Sequence, residues 1–326
     1  MKVLIVCSGK TYNETFDFKI DKPFTYEQIE SLNKFGVEYD TYFIMGSGLF
    51  GYLKNYFALI NKIKSYSPDL VHAHYGFSGL LASLQSIAPT VTTFHGSDIN
   101  LKNNRPFSYI ASKLSTDNIF VHPTQPSKIK YKKPANIIPC GVDMKIFFPR
   151  DKFESRKILG LENRNKYILF SSRFNNDIKN FQLAEKAISL LNQKVKLIEL
   201  KGYSRTEVSL LLNAVDLLLL TSISEGSPQL IKEAMACNIP IVSTDVGDIK
   251  MVVRNTSGCY ITSFRPEDVA DKIKKALTFK ERTTGRDSIM HLENSAIARK
   301  IIVVYKKVIE NHKKRNPIND RNNEIS

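Results

Sequence analysis

Short apolar runs rich in β-branched and aromatic residues alternate with longer stretches of helical periodicity along almost the whole chain. In the first half, Val3 to Cys7, Val37 to Ile44, Leu70 to Ala73, Thr90 to Phe94, Asn118 to Val121 and Asn136 to Ile138 read as strands. Helices are predicted between them at Thr25 to Phe35, Leu49 to Tyr66, Ser78 to Ile87 and Phe107 to Leu114. The alternation restarts after Pro149 and Arg150, with strands at Tyr167 to Ser171, Val195 to Leu200, Asp216 to Leu220, Pro240 to Ser243 and Gly258 to Ile261. The helices of this half are predicted at Lys152 to Leu159, Asn180 to Leu191, Arg205 to Ala214, Gln229 to Cys237 and Pro266 to Leu277. Such alternation builds parallel sheets covered by helices, so the expected fold class is α/β with two doubly wound, Rossmann-like domains.

The segment from Ile138 to Pro149 places prolines and a glycine between the two repeating blocks, as a linker does. The expected domains are therefore residues 1–148 and 149–294. A long final helix, Ser295 to His312, is expected to pack back on the first domain, and residues 313–326 form a polar tail with too few apolar residues to fold. Ligands of open α/β sheets bind beyond the carboxyl ends of the strands, so a cleft between two such domains is the expected place of function.

Composition narrows this picture only a little. The 326 residues include 47 Lys and Arg against 32 Asp and Glu, a formal charge of +15. The excess is spread over both halves, which favours anionic partners in general without selecting one. No nucleic-acid recognition motif accompanies it, and a nucleic-acid partner is not expected. The apolar run Val3 to Cys7 is too short for a signal-peptide core or a membrane span, and the densest apolar stretch, Leu210 to Ile223, is broken by Asn213 and Asp216. Cys7, Cys140, Cys237 and Cys259 lie far apart, in none of the close pairs used by zinc or redox sites, so reduced thiols and a cytoplasmic location are expected.

The strongest local signal runs from Ser224 to Ala236. A strand ends, a Gly226-Ser227-Pro228 turn follows, and a helix starts with exposed backbone N–H groups, which makes an anion site. Glu225 precedes the turn and Glu233 lies one turn into the helix, and two carboxylates there suit the hydroxyl pairs of a ribose or hexose. His95 closes the strand before Gly96, at a strand's carboxyl end. His72 and His74 alternate on one strand and point to one face; with no third ligand near, no metal site is expected.

The Glu225 to Glu233 passage resembles the retaining GT-B glycosyltransferases of family 4, marked by two glutamates separated by seven residues. The resemblance covers roughly Val71 to Val253 and takes in His95-Gly96-Ser97-Asp98, Ile138 to Asp143, Phe170 to Arg173, Lys179-Asn180 and Ala234-Met235-Ala236. It is similar above all to members serving bacterial capsular or O-antigen polysaccharide synthesis. What it implies is two domains facing across a cleft, and transfer of a sugar with retention from a nucleotide-diphosphate sugar to a glycan acceptor carried on a polyprenyl diphosphate. Neither a metal nor a cofactor beyond the donor substrate is implied.

By the same resemblance Arg173 and Lys179 grip the donor diphosphate, Glu233 holds the ribose and Glu225 the donor sugar. Backbone N–H groups of Gly226, Ser227, Gln229 and Leu230, in the turn shaped by Pro228, cradle the sugar and distal phosphate, and His95 reaches the transferring sugar. The chain departs from the family in two places. Ser8-Gly9-Lys10 stands where many relatives have a Gly-Gly loop, leaving Gly9 as the candidate for close approach. A shortened segment after the strand Val195 to Leu200 leaves Gly202, Tyr203 and Arg205 as the expected base-binding wall. A sugar-nucleotide epimerase, a non-catalytic partner subunit and a nucleic-acid-binding protein stay open as alternatives.

The predicted helix Leu49 to Tyr66 mixes Phe50, Tyr52, Tyr56 and Phe57 with Lys54, Lys62 and Lys64. Packing of Leu53, Phe57 and Ile60 on the sheet is the expected role. The same composition suits a helix resting on an anionic membrane, which leaves peripheral contact at the inner face of the cell membrane as the other reading.

Overall fold

The computed structural model describes residues 1–9 and 16–315. Lys10 and residues 316–326 of the expected tail lie outside the described residues. The chain divides into two compact units, Met1–Pro139 joined by the segment from Ser295 on, and Cys140–Asn294.

The first unit is built on six strands: β1 (Lys2–Ser8), β2 (Glu38–Ile44), β3 (Leu70–His74), β4 (Thr90–Phe94), β5 (Asp117–Phe120) and β6 (Asn136–Ile137). They pair in the order β2-β1-β3-β4-β5-β6, all parallel, with Val3 opposite Leu70 and Tyr39. β3 and β4 are buried along their whole length, the mark of strands covered on both faces. The second unit holds β7 (Lys166–Phe170), β8 (Val195–Glu199), β9 (Leu217–Leu220), β10 (Ile241–Thr244) and β11 (Cys259–Thr262), parallel in the order β11-β10-β9-β7-β8. Its centre is β9, four consecutive leucines with exposures of 1% or less. In each sheet the chain reverses its direction of travel once, between β1 and β3 and between β7 and β9. Those switch points splay the loops apart and open a crevice at the carboxyl ends.

Three expectations need correction. The boundary falls after Pro139 rather than after residue 148. Val142 N donates to Leu292 O at 2.9 Å, Arg286 Nη1 and Nη2 donate to Phe147 O and Met144 O at 2.7 and 3.0 Å, and Phe147 is wholly buried. The prolines and glycine there mimic a linker, but Val142 and Phe147 are core of the second unit. The final helix runs Asn294–Arg315, three residues past His312, so residues 313–315 are helix and not tail. Its Tyr305 hydroxyl meets His72 Nδ1 at 2.5 Å, Arg299 lies over the Phe35 ring, and Lys307 pairs with Asp117, all in the first unit.

The third correction concerns the stretch from Leu49 to Tyr66, which forms two helices, Gly48–Leu53 and Tyr56–Tyr66. Asn55 separates them, its side chain donating to Met45 O and Gly51 O at 2.9 and 2.7 Å and accepting from Met45 N at 3.1 Å. The break resets the helical phase. Leu59 and Ile63 become the buried residues, while Leu53 and Phe57, expected on the sheet, are exposed.

Candidate active site

The carboxyl ends of β7 and β9 gather most of the predicted residues of the second unit. Thr221 follows β9 and donates through Oγ1 to Lys179 O and Asn180 O, both at 2.9 Å, while Ile223 N donates to Ile178 O at 2.9 Å. These bonds lash the loop after β9 to the 3-10 turn Asp177–Lys179. Lys179 Nζ consequently meets Glu225 Oε1 at 2.5 Å, and Ser222 Oγ donates to the same oxygen at 2.7 Å. The sequence reading placed Lys179 on a diphosphate and Glu225 on a sugar; in the structure they form an ion pair.

The second glutamate is also paired. Glu233 is 2% exposed, and Arg205 Nη1 donates to its Oε1 at 2.7 Å. Arg205 opens the helix Arg205–Ala214, capped by reciprocal bonds between Ser204 and Glu207, and its guanidinium lies 4.6 Å from the centre of the Phe147 ring. Arg205, expected on the base wall with Gly202 and Tyr203, is the partner of Glu233. Gly202 (φ +77°) and Tyr203 lie exposed in the loop after β8. Arg173 is exposed just past β7, and among the described residues its side chain makes no hydrogen bond or ion pair.

Between the glutamates lie Gly226, Ser227, Pro228, Gln229 and Leu230. The helix Gln229–Ala236 starts behind Pro228 with no side-chain cap, which leaves its first-turn N–H groups pointing out along the dipole. A buried polar network fixes this turn. Lys232, with no exposed surface, donates through Nζ to Cys140 O at 2.8 Å, Ser227 Oγ at 2.6 Å and Gln229 Oε1 at 3.3 Å. Ser227 Oγ donates to Asp248 Oδ2 at 2.5 Å, and Gln229 Nε2 to Gly141 O at 2.6 Å. Gly247 seals the other side at φ +62°; a Cβ there would lie 2.5 Å from Gly226 O. A buried ammonium is tolerated only when its donors are satisfied, so this network sets the shape of the turn rather than contacting solvent.

In the first unit, His95 lies just past β4. His74 Nδ1 and His95 Nε2 are 2.9 Å apart and the two rings stack at 5.1 Å; Tyr75 (4.6 Å) and Phe24 (5.4 Å) complete the surround. His72 continues the row, 4.3 Å from His74, with Nε2 on Thr93 Oγ1 at 2.7 Å and Nδ1 on Tyr305. Both His72 nitrogens are thus engaged by hydroxyls. Burial pulls the pKa of His74 down to about 3, helped by the Lys22 ammonium, and pulls that of His72 far below its ordinary value, so both are neutral. Asp98 holds the loop, its carboxylate accepting from Gly96 N (2.7 Å), Gly76 N (3.2 Å) and His95 N (3.3 Å); burial pushes its pKa up to about 6. Gly9 is enclosed by its own sheet: a Cβ there would meet Met45 Sδ at 2.8 Å and Ile44 O at 3.3 Å.

Comparison with known proteins bears on the family and the fold. The family described as "Glycosyl transferase 4-like" matches residues 23–124, and "Glycosyl transferases group 1" matches residues 184–278. Among solved structures, sucrose-phosphate synthase from Thermosynechococcus elongatus superposes with a TM-score of 0.78 over 95% of this chain and 100% of that one, at 14% identity. The chain has the GT-B fold and is glycosyltransferase-like in both units. Anabaena HepE, solved with UDP and glucose, shares the GT-B fold at a TM-score of 0.72 and 16% identity, over 94% of this chain and 100% of that one. A putative teichuronic acid biosynthesis glycosyltransferase, TuaC, from Bacillus subtilis is 28% identical over 58% of this chain. That match spans 56%, little more than half, of the relative's own length.

Sequence reasoning missed Lys232, Asp248, Ser222 and Phe147 in the second unit and Asp98, His74 and Tyr75 in the first. Lys232 carried no signal, because a lysine on a helix reads as solvated until its surroundings are known. His74 ends one strand, and Asp98 follows another, that the structure buries along its whole length.

Proposed function

We propose that this protein is a retaining glycosyltransferase that moves a sugar from a nucleotide-diphosphate sugar to a glycan acceptor on a lipid diphosphate, in surface polysaccharide synthesis. The observation that carries the reading is the pair Glu225 and Glu233, each held by a cation, on either side of an uncapped helix start at the β7/β9 switch point. Carboxylates fixed in this way accept hydroxyls of a sugar and a ribose, and the helix start between them favours the diphosphate that joins the two.

In the proposed reaction the bond from the anomeric carbon to the diphosphate oxygen breaks while the acceptor oxygen bonds to that carbon on the same face. The acceptor's proton passes to the leaving phosphate oxygen. Negative charge grows on the diphosphate, and Arg173 and Lys179 are assigned to stabilise it, each charge-assisted contact being worth about 1.5–3 kcal/mol. On this reading no metal or other cofactor takes part. Gly226 to Leu230 cradle the distal phosphate, Glu233 with Arg205 takes the ribose, and His95 meets the sugar from the first unit.

Membrane contact is part of the proposal. Phe50 and Phe57 are 80% and 77% exposed and stand with exposed Leu49, Leu53 and Lys54 on one short stretch. Large exposed aromatics beside lysine, on a chain of charge +15, suit an anionic lipid surface.

The test is thermal melting with a panel of nucleoside diphosphates and their sugars, alongside Glu233→Ala and Arg173→Ala. A ligand at a hundred times its Kd adds about 2.7 kcal/mol of stability. One nucleotide is expected to shift the wild type and neither variant. A folded wild type that no nucleotide shifts would overturn the donor site, and conversion of the sugar nucleotide without an acceptor would replace transfer by epimerisation.

A further inference from the structure

The environment of His95 fixes where its ring proton sits. His74 is fully buried and neutral, and its Nδ1 faces His95 Nε2 at 2.9 Å. Its other nitrogen, Nε2, is buried with no hydrogen-bond partner among the described residues. A neutral imidazole has one N–H and one lone pair, and an unpaired buried N–H is the rarer and costlier of the two to leave unsatisfied. The proton of His74 therefore belongs on Nδ1, where it is donated to His95 Nε2. His95 Nε2 accepts, and the proton of a neutral His95 resides on Nδ1.

The surroundings hold that arrangement rigidly. Asp98 accepts from the backbone N–H groups of His95 and Gly96, and Tyr75, Phe24 and His74 enclose the ring. Tyr75 does so from φ +71°, ψ +152°, a region that glycine alone occupies readily. Its own N–H donates to Thr93 O at 2.9 Å, and its carbonyl accepts from Gly79 N at 2.9 Å, so the strained backbone is pinned at both ends.

We propose that His74 is a positioning residue that makes His95 a hydrogen-bond donor through Nδ1 and keeps it from serving as a base through Nε2. The proposal rests on the glycosyltransferase reading for what His95 donates to, a sugar hydroxyl or phosphate oxygen of the donor. It also deepens that reading. With Nε2 occupied by an N–H, His95 does not take the acceptor's proton, which leaves the departing phosphate oxygen as the base.

The experiment is long-range ¹H–¹⁵N correlation of the full chain labelled at histidine, with the His95 signals assigned by their loss in His95→Gln. Wild type is expected to show a protonated Nδ1 and a bare Nε2 at His95. His74→Asn places an amide N–H near the position of the lost Nδ1–H and is expected to keep that pattern; His74→Leu is expected to lose it. A wild-type His95 protonated on Nε2 overturns the proposal, whether or not either variant folds. So does an unchanged His95 pattern in a folded His74→Leu.

This readout needs no substrate, so it stands or falls separately from nucleotide binding. Once a nucleotide has been found by melting, His74→Leu is expected to lower kcat by about tenfold or more with the donor KM within about twofold, and His74→Asn to restore most of the rate, since an oriented hydrogen bond acts on the transition state. Equal loss in both variants would assign His74 a merely structural role.

Discussion

Tyr75 shows at the scale of one residue how a fold can hold a conformation that its own sequence disfavours. A tyrosine at φ +71°, ψ +152° costs about 1–3 kcal/mol, and its ring lies against His95 with the Lys22 ammonium 5.7 Å from its centre. Truncation to alanine removes the ring and leaves the strain, whereas truncation to glycine removes both. Tyr75→Gly is therefore expected to be more stable than Tyr75→Ala by about 1–3 kcal/mol, the reverse of the usual order. Urea unfolding of the two variants checks this, and an alanine variant as stable as the glycine one would show that the backbone stores no strain. Residues of this sort are invisible to pattern reading. Tyr75 sits between His74 and Gly76 in a sequence that reads as strand end and helix start, and nothing in residue type marks the positive φ.

At the scale of elements, the break at Asn55 decides which face of the chain from Gly48 to Tyr66 is covered. A continuous helix would have turned Leu53, Phe57 and Ile60 inward, as their spacing suggests; Asn55 instead bonds the backbone of Met45 and Gly51 and starts a second helix in a new phase. Phe50 and Phe57 are left in solvent. Phe50→Ser with Phe57→Ser is expected to reduce co-sedimentation with vesicles containing anionic lipid by about tenfold, while melting shifts little because both rings are already exposed. Wild-type protein that fails to bind such vesicles at low salt would remove the membrane from the proposed function. The helix Gln229–Ala236 teaches the opposite lesson. Its place, its turn and the two glutamates, one before the turn and one in the helix, are legible, because Gly-Ser-Pro and the carboxylates have local physical meanings, but the buried Lys232 that shapes the turn is not.

For the whole molecule, the row His72, His74 and His95 with Tyr305 ties the final helix to the first sheet, and two of its imidazoles, His72 and His74, are fully buried and neutral. Burial lowers the pKa values of His72 and His74, so the unfolded chain takes up a proton on each below about pH 6.5 before the folded chain does. Stability from these groups is complete above pH 6.5 and is lost as pH falls toward 4. Asp98 acts in the other sense: with its pKa raised to about 6, the folded state holds a proton that the unfolded state has released, which favours folding as pH falls from 6 toward 4. Two lowered histidines against one raised carboxyl leave a net loss of stability as pH falls over that interval. Urea midpoints measured from pH 7 to pH 4 are expected to fall in the wild type and to fall less steeply in His74→Asn. A flat profile would mean that the histidines are not held neutral. The thiols add nothing in this range, since burial pushes Cys7, Cys237 and Cys259 up to about 12.

What the sequence determined by itself was periodic or local. Among the described residues, the eleven strands, the two parallel sheets and the Glu225 to Glu233 turn follow from side-chain spacing and from turn residues, each of which acts over a few neighbours. What only the tertiary structure decided depends on partners distant along the chain. Cys140 to Phe148 joined the second unit through Leu292 and Arg286, Glu233 met Arg205, and His74 met His95. In open chain Cys140 to Phe148 read as a linker, Arg205 as part of a base-binding wall and His74 as one of two alternating strand histidines, because a polar side chain's role is set by what burial forces it to pair with, and burial is a property of the fold.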